Sequence, residues 1–444
     1  MDIRFKYFLK NFQLFFNITE NDVGYLPDGE ASVLIERKTN DSFWSSHADI
    51  NFSSVAWKEW KGVKIPFLFD NDQTKDIVTY SGNKAVINYD IVASVFYFLS
   101  GWNEIVSPGR DDHQRPIFRE SAINKLSLQN TPVVNYYFDI LYETIKHVKK
   151  AEIKKPLWDN HKFAVALTHD IDKCQSAWLE GSASELRKGR FLSVPVLLAK
   201  RFLKNKDEWF NFDEIINIEK KYNATSSFFF LSRRGKSGGL ENADYNIERK
   251  HLYNTIEFLK RNGFDTGIHG SPGTHVNAQA LKSEIKKVSP DSVWGNRFHF
   301  LLFDPIKSAS VLEECGIKYD STLGFPDYPC FRRATCYPFY LFNFEKNDIS
   351  TVIEIPLTVM DVTLAHKKYL GLNHEKALLI IKNLADEVRK HGGVLTLLWH
   401  NTYFSDYKFK GWREVYTGIL DYCKENDALL TNARTIYERV WSKA

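Results

Sequence analysis

Phe163-Ala-Val-Ala-Leu-Thr-His-Asp-Ile-Asp172 is an apolar run that ends abruptly in ionisable side chains, His169, Asp170 and Asp172. Strands covered on both faces lose the polar alternation of half-exposed ones, so this run reads as a buried parallel strand. In barrels and open α/β sheets the carboxyl end of such a strand is where chemistry collects. Asp170 and Asp172 are two residues apart and share a face on a regular strand, which lets them divide the work of general base and metal ligand. The competing account is a strand that runs into an acidic turn.

Working outward, the residues after 160 alternate strands with helices, the pattern of a parallel α/β architecture. A long helical stretch through Leu186 to Lys204 follows the Asp170 strand, then a helix over Phe212 to Tyr222 and a strand over Ala224 to Leu231. His251 to Arg261 is a helix closed by Asn262-Gly263, and Phe264-Asp-Thr-Gly-Ile-His-Gly270 is a strand ending in a histidine. Ser292 to Phe303, Ile353 to Val359 and Val394 to His400 complete the candidate strands. Three strand ends thus carry Asp170 with Asp172, His269, and His400, and three in one chain point to a constructed site.

Upstream, Lys154-Lys-Pro-Leu-Trp-Asp-Asn160 reads as a linker, dividing the chain into residues 1–155 and 160–444. From Val23 to Ile87 short apolar runs alternate with turn signals such as Pro27-Asp-Gly29 and Ser81-Gly-Asn83, predicting short strands and hairpins. Asn88-Tyr-Asp90 caps a buried helix over Ile91 to Ser100 that stops at Gly101, and Val134 to Lys149 is a second helix. The first part is therefore a smaller α+β unit without a catalytic constellation; His113 beside Asp111 and Asp112 reads as a solvated loop.

The 444 residues favour two domains, and 43% hydrophobic with 26% charged residues is a soluble composition. A net charge of +4 is small for this length and implies neither nucleic acid nor an anionic membrane as a partner. Five cysteines, odd in number and without Cys-x-x-Cys spacing, point to a reducing compartment, so a cytoplasmic location is expected. Lys6 and Lys10 interrupt the apolar N-terminus, which reads neither as a signal peptide nor as a membrane span; peripheral contact with a membrane surface stays open for it.

Thr168-His-Asp-Ile-Asp172, Gly267-Ile-His269 with His275 after it, Arg297 in Trp294-Gly-Asn-Arg-Phe-His-Phe-Leu, Tyr319-Asp-Ser-Thr-Leu323 and Leu397-Leu-Trp-His400 follow one another in the order of the motifs of the NodB-type polysaccharide deacetylases. Residues 160 to 440 resemble that family. The part before them, around Asp90 to Glu104, resembles an uncharacterised domain found ahead of such deacetylases in bacteria. The resemblance implies a distorted (β/α) barrel with one divalent metal, usually zinc, that hydrolyses N-acetyl groups of amino sugars in bacterial surface polysaccharides. Carried over, Asp170 is the general base, Asp172 and His269 are metal ligands, His400 is the general acid and Arg297 orients Asp170. A carbohydrate bearing N-acetyl groups is then the substrate. Two other readings stand beside this one: a hydrolase of the same fold acting on a non-sugar amide, and a degenerate domain that only binds a glycan or a partner.

The chain departs from the family pattern in two places. Ile171 separates the two aspartates, and Gly273 stands where a second metal-binding histidine is expected, leaving His275 as the candidate third ligand. His299 reads as a hydrogen-bonded wall residue, and His366 and His391 as solvated. Arg332 and Arg333 line the sugar site or lie on the surface, Trp399 offers a stacking face or fills the core, and Asn401 is placed to orient His400.

Overall fold

The computed structural model describes residues 2–442 apart from 28, 29, 108, 204–206, 238 and 290–292. The Asp28-Gly29 turn, the expected helix end at Lys204 and the expected strand start at Ser292 therefore lie outside the described residues. The apolar run at 163 is a fully buried strand, Phe163–Ile171. It pairs in parallel with Val394–Leu398 on one side. Its other edge is shared: Ala428–Thr431 pairs with its first half and Ser227–Leu231 with its last residues. From Ser227–Leu231 the sheet continues in parallel through Asp265–Gly270, Gly295–Phe298, Tyr319–Asp320 and Asp348–Glu354.

One continuous segment closes the sheet. Asp348–Glu354 pairs with Tyr319–Asp320, Ile355 N donates to the Asp320 carbonyl, Thr358 N donates to the Thr396 carbonyl, and Val359–Met360 pairs with Val394–Leu398. The protein is thus α/β, a distorted (β/α) barrel in which a single stretch, 348–360, serves two neighbours. Helices such as Phe212–Lys221, Lys250–Arg261, Ala278–Val288 and His374–His391 connect successive strands and cover the barrel, turning rows such as Leu252, Ile256 and Leu259 inward. Parallel strands need such crossovers, and their carboxyl ends all emerge on one rim.

Several boundaries differ from the sequence reading. The stretch from Leu186 is not one helix: Ala177–Arg187 and Ser193–Leu203 form two, broken near Gly189, whose φ of +72° only glycine adopts freely. The strand expected to reach Phe303 ends at Phe298, and His299–Leu301 is a tight turn.

The smaller α+β unit ahead of the barrel has a four-stranded sheet ordered Val23–Tyr25, Val33–Ile35, Lys84–Ile87, Val78–Ser81 and a separate hairpin of Ala56–Trp60 with Val63–Phe67. Asp90 caps helix Ile91–Leu99 by accepting from Ala93 N, as its sequence position predicts. The N-terminal helix Ile3–Gln13 is not free to lie on a membrane: Phe5, Phe8 and Phe12 are buried. Its Tyr7 hydroxyl donates to the Tyr340 carbonyl in the barrel sheet at 2.7 Å, and Asn11 Oδ1 accepts from Tyr340 N. A single apolar core runs through both parts. No helix among the described residues is long and apolar enough to cross a membrane.

Candidate metal centre

Alternation along Phe163–Ile171 sends His169 and Asp170 to opposite faces. His169 is buried away from the rim, bonded to the Trp399 carbonyl at 2.6 Å and to Glu219 at 2.9 Å. Asp170 faces the barrel interior. Its Oδ1 accepts from Arg297 Nη1 at 3.0 Å, and the same nitrogen reaches Thr168 Oγ1 at 2.9 Å. Arg297 is wholly buried and fixed further by the Ser321 carbonyl and hydroxyl, with Phe229 under its guanidinium. A planar cation held at four points can set the orientation of the carboxylate it touches. The structure brings Asp170 and Arg297 together, a pairing implied at the sequence level only by the family resemblance.

Asp172, His269 and His299 converge so that one ligand atom from each lies within 4.8 Å of the others. His269 Nδ1 donates to the Arg297 carbonyl at 2.8 Å, and His299 Nε2 donates to the Glu241 carbonyl at 3.1 Å. A carbonyl can only accept, so both tautomers are set and the remaining nitrogens are turned inward. Those nitrogens, His269 Nε2 and His299 Nδ1, lie 2.9 Å apart, and Asp172 Oδ1 stands 3.4 and 3.6 Å from them. That oxygen is buried and has no donor. His269 and His299 share a proton across their 2.9 Å contact, and a cation taking its place would meet three inward lone pairs; two imidazoles with a carboxylate fit zinc while leaving a coordination position open.

The electrostatics agree with the geometry. Burial pushes the Asp172 carboxyl up, but His299, His269 and His400 outweigh it and hold the group far below the usual carboxylate range. Burial pushes His299 down to about 4, which keeps it a neutral ligand near pH 7. His269 is lowered by burial and raised more strongly by the Asp170 and Asp172 carboxylates, a field that favours positive charge at this point.

His275, the sequence's third ligand, is not brought to this cluster. After Gly273, with φ of +91°, the chain enters the turn Thr274–Val276, and the ring lies 6.1 Å from Phe298. It lines a separate cavity of about 320 Å³ with Arg110, His113 and Asp304. His299 joins the cluster instead, swung inward by the turn after Gly295–Phe298, while it keeps the hydrogen bond expected of it, to the Glu241 carbonyl. The sequence offered one signal, a histidine directly after a strand that already carries Arg297.

His400 reaches the same rim, its Nε2 3.7 Å from Asp172 Oδ2. Asp361 holds it, accepting from its backbone N at 2.6 Å and from Nδ1 at 2.7 Å. Burial lowers the imidazole's pKa, but Asp361, with Asp172 and Asp170 behind it, pushes it up to about 10. Asn401 does not orient His400; its amide donates to the Lys173 and Trp209 carbonyls. Asp361 was missed, although Val359-Met360-Asp361 repeats on a smaller scale the signature of an apolar strand ending in an acid.

Other expectations change too. Trp399 is fully buried against Trp412 and Tyr416 and offers no face to a sugar. Arg332 and Arg333 are neither surface nor rim groups: both are buried and bind Glu104 of the N-terminal part. His391 is buried beside Tyr136 and Glu387, whereas His366 is exposed. His113 stacks on Phe300 at 5.3 Å.

The site and fold together define a barrel protein with an Asp/His/His cluster and an Arg-held aspartate at its rim. Residues 2–150 match the model of a family of unknown function, DUF7033. No curated protein matches the chain. Among solved structures, a Mycobacterium smegmatis protein described as a polysaccharide deacetylase is 17% identical, with a TM-score of 0.42 over 64% of this chain and 92% of its own. Puue allantoinase is 12% identical, with a TM-score of 0.43 over 65% and 93%. A probable polysaccharide deacetylase from Pseudomonas aeruginosa PAO1 is 11% identical, with a TM-score of 0.42 over 63% and 91%.

Proposed function

We propose that this chain is a metal-dependent hydrolase that removes N-acetyl groups from an amino sugar in a polysaccharide or its precursor. The observation that carries the reading is the meeting, on one rim, of three inward ligand atoms with an Arg-held carboxylate and an Asp-held imidazole. Asp172, His269 and His299 would hold the metal, which when bound polarises the acetyl carbonyl and makes water a better nucleophile. Asp170 takes the proton from the attacking water through Oδ2, the oxygen that Arg297 leaves free. His400 donates to the departing nitrogen, since an amine leaves poorly unless protonated, and its raised pKa keeps it in the acid form near neutrality. Asp361 supplies both the orientation and the charge that this role needs.

The reading of a degenerate binding domain rested on the histidine missing at position 273. His299 supplies an imidazole nitrogen in its stead, which favours an enzyme. The test is release of acetate from N-acetylated sugar oligomers by protein loaded with zinc or another divalent ion. Asp170→Asn should keep the ion and lose about 10²–10⁴-fold in turnover. Undiminished acetate release by that variant would remove Asp170 from the chemistry, and an ion-loaded parent that releases none would return the chain to the binding class.

A further inference from the structure

We infer that the helical hairpin of Ala177–Arg187 and Ser193–Leu203 is a docking element for an anionic lipid surface, set at the rim that carries the metal centre. Its root is firm. Ala177 N and Trp209 N both donate to Asp207 Oδ1, Glu180 is paired with Lys173 at 2.5 Å and Lys408 at 3.0 Å, and Tyr407 packs directly on Gly181. The two helices lean on each other through Trp178 and Phe202. The far end has no such cover. Leu192 at its tip is 89% exposed and Phe191 67%, with Phe202, Leu179, Val196 and Leu186 exposed behind them. Six of the thirteen large apolar side chains that stand exposed among the described residues fall in this one stretch, so it is a patch rather than scatter.

Charge identifies the occupant. Residues 187–203 carry Arg187, Lys188, Arg190, Lys200 and Arg201 and no acidic residue, against a net +4 for the whole chain; Glu185 just before them is buried and lies 3.6 Å from Lys188 and 3.8 Å from Arg190. Exposed Phe and Leu among basic residues match an interface of acyl chains beneath anionic headgroups, and not the mixed surface of a typical protein partner. The hairpin follows Asp172 by a few residues, and the Lys173 carbonyl at its root accepts from Asn401, the neighbour of His400. Docking through it would bring the mouth of the site to the headgroup layer, where a lipid-attached sugar chain would be presented.

The test is co-sedimentation of the full chain with vesicles of phosphatidylcholine alone or mixed with phosphatidylglycerol. Binding is expected only to the anionic vesicles and should be released by high salt. K188E/R190E should weaken it by roughly fivefold or more per charge reversed, and F191S/L192S should weaken it at low salt as well. Melting temperature should be unchanged in F191S/L192S, whose side chains are exposed, and circular dichroism should show K188E/R190E still folded although it loses the pairs that Lys188 and Arg190 make with Glu185. Failure of the parent to bind anionic vesicles, equal binding by the variants, or a parent dimer that F191S/L192S dissociates without any vesicle binding would each overturn the inference.

Discussion

Arg115 Nη1 donates to the Phe300 carbonyl at 2.5 Å, tying the N-terminal unit to the residue that follows His299. Phe300 and Leu301 have φ of +58° and +55°, a conformation that side chains larger than glycine adopt only when their surroundings enforce it. Arg115, itself gripped by Asp111, and His113, stacked on the Phe300 ring, are those surroundings. The unit of unknown function thereby holds the turn that swings His299 inward. Arg115→Ala should weaken divalent-ion affinity by about 10–100-fold, as loss of a group that orients a ligand does. Isothermal titration with zinc measures this, and Arg115→Lys, which keeps one donor, should recover part of it. Unchanged affinity in Arg115→Ala would show that the turn holds itself.

His400 acts as an acid only while protonated, so turnover should fall as pH rises through its pKa and hold on the acid side of it. Asp361 is the main source of the upward shift to about 10 once burial is overcome. Removing that negative charge lowers the pKa, so Asp361→Asn should move the alkaline limb of the rate profile toward lower pH by about one to two units. The comparison is of kcat against pH for parent and variant at saturating metal. A limb that stays where it was would mean that another group sets it.

The sequence disclosed strands and their chemistry where one long apolar run ended in a charge, which is why Asp170, Asp172, His269 and His400 were legible. It disclosed Arg297 only through the family resemblance. What it hid depends on geometry between distant segments. Two-residue strands such as Val359–Met360 are too short to show a period, so Asp361 went unseen. His299 sits in a turn whose positive φ values no pattern in its residues announces, and His275 looked better by spacing alone. Arg332 and Arg333 read as sugar-site or surface groups because their partner, Glu104, lies more than two hundred positions away.

Glu104 is buried with Arg332 Nε and Nη2 at 2.8 and 2.9 Å and Arg333 Nη2 at 3.1 Å. Burial raises its carboxyl pKa, but the two guanidinium groups more than reverse that and leave it lowered from 4.5. A carboxyl lowered on folding stabilises above its unfolded pKa and loses that contribution as pH falls through the folded value. Glu104→Gln leaves two buried cations uncompensated and should cost about 3–5 kcal/mol near neutrality. Urea unfolding across pH reads both effects: the variant should be less stable at pH 7 and show a flatter acid side. A loss below about 1 kcal/mol would mean that solvent reaches the arginines.

His299 and His275 offer the sharpest separation, because the sequence favoured one and the geometry favours the other. His299 Nδ1 lies 2.9 Å from His269 Nε2 and 3.6 Å from Asp172, with its other nitrogen committed to the Glu241 carbonyl. His275 lies in the cavity beside Arg110 and Asp304, with its Nδ1 buried and unpartnered. His299→Ala should therefore lose stoichiometric metal and, with it, acetate release, while its fold survives because the ring closes no part of the apolar core. His275→Ala should keep both. Elemental analysis of the purified variants, with circular dichroism to confirm folding, checks the pair. Retained metal in His299→Ala together with loss in His275→Ala would reverse the assignment and require the Pro272-Gly273 turn to rearrange when the ion binds. Loss in neither would move the ion away from this cluster altogether.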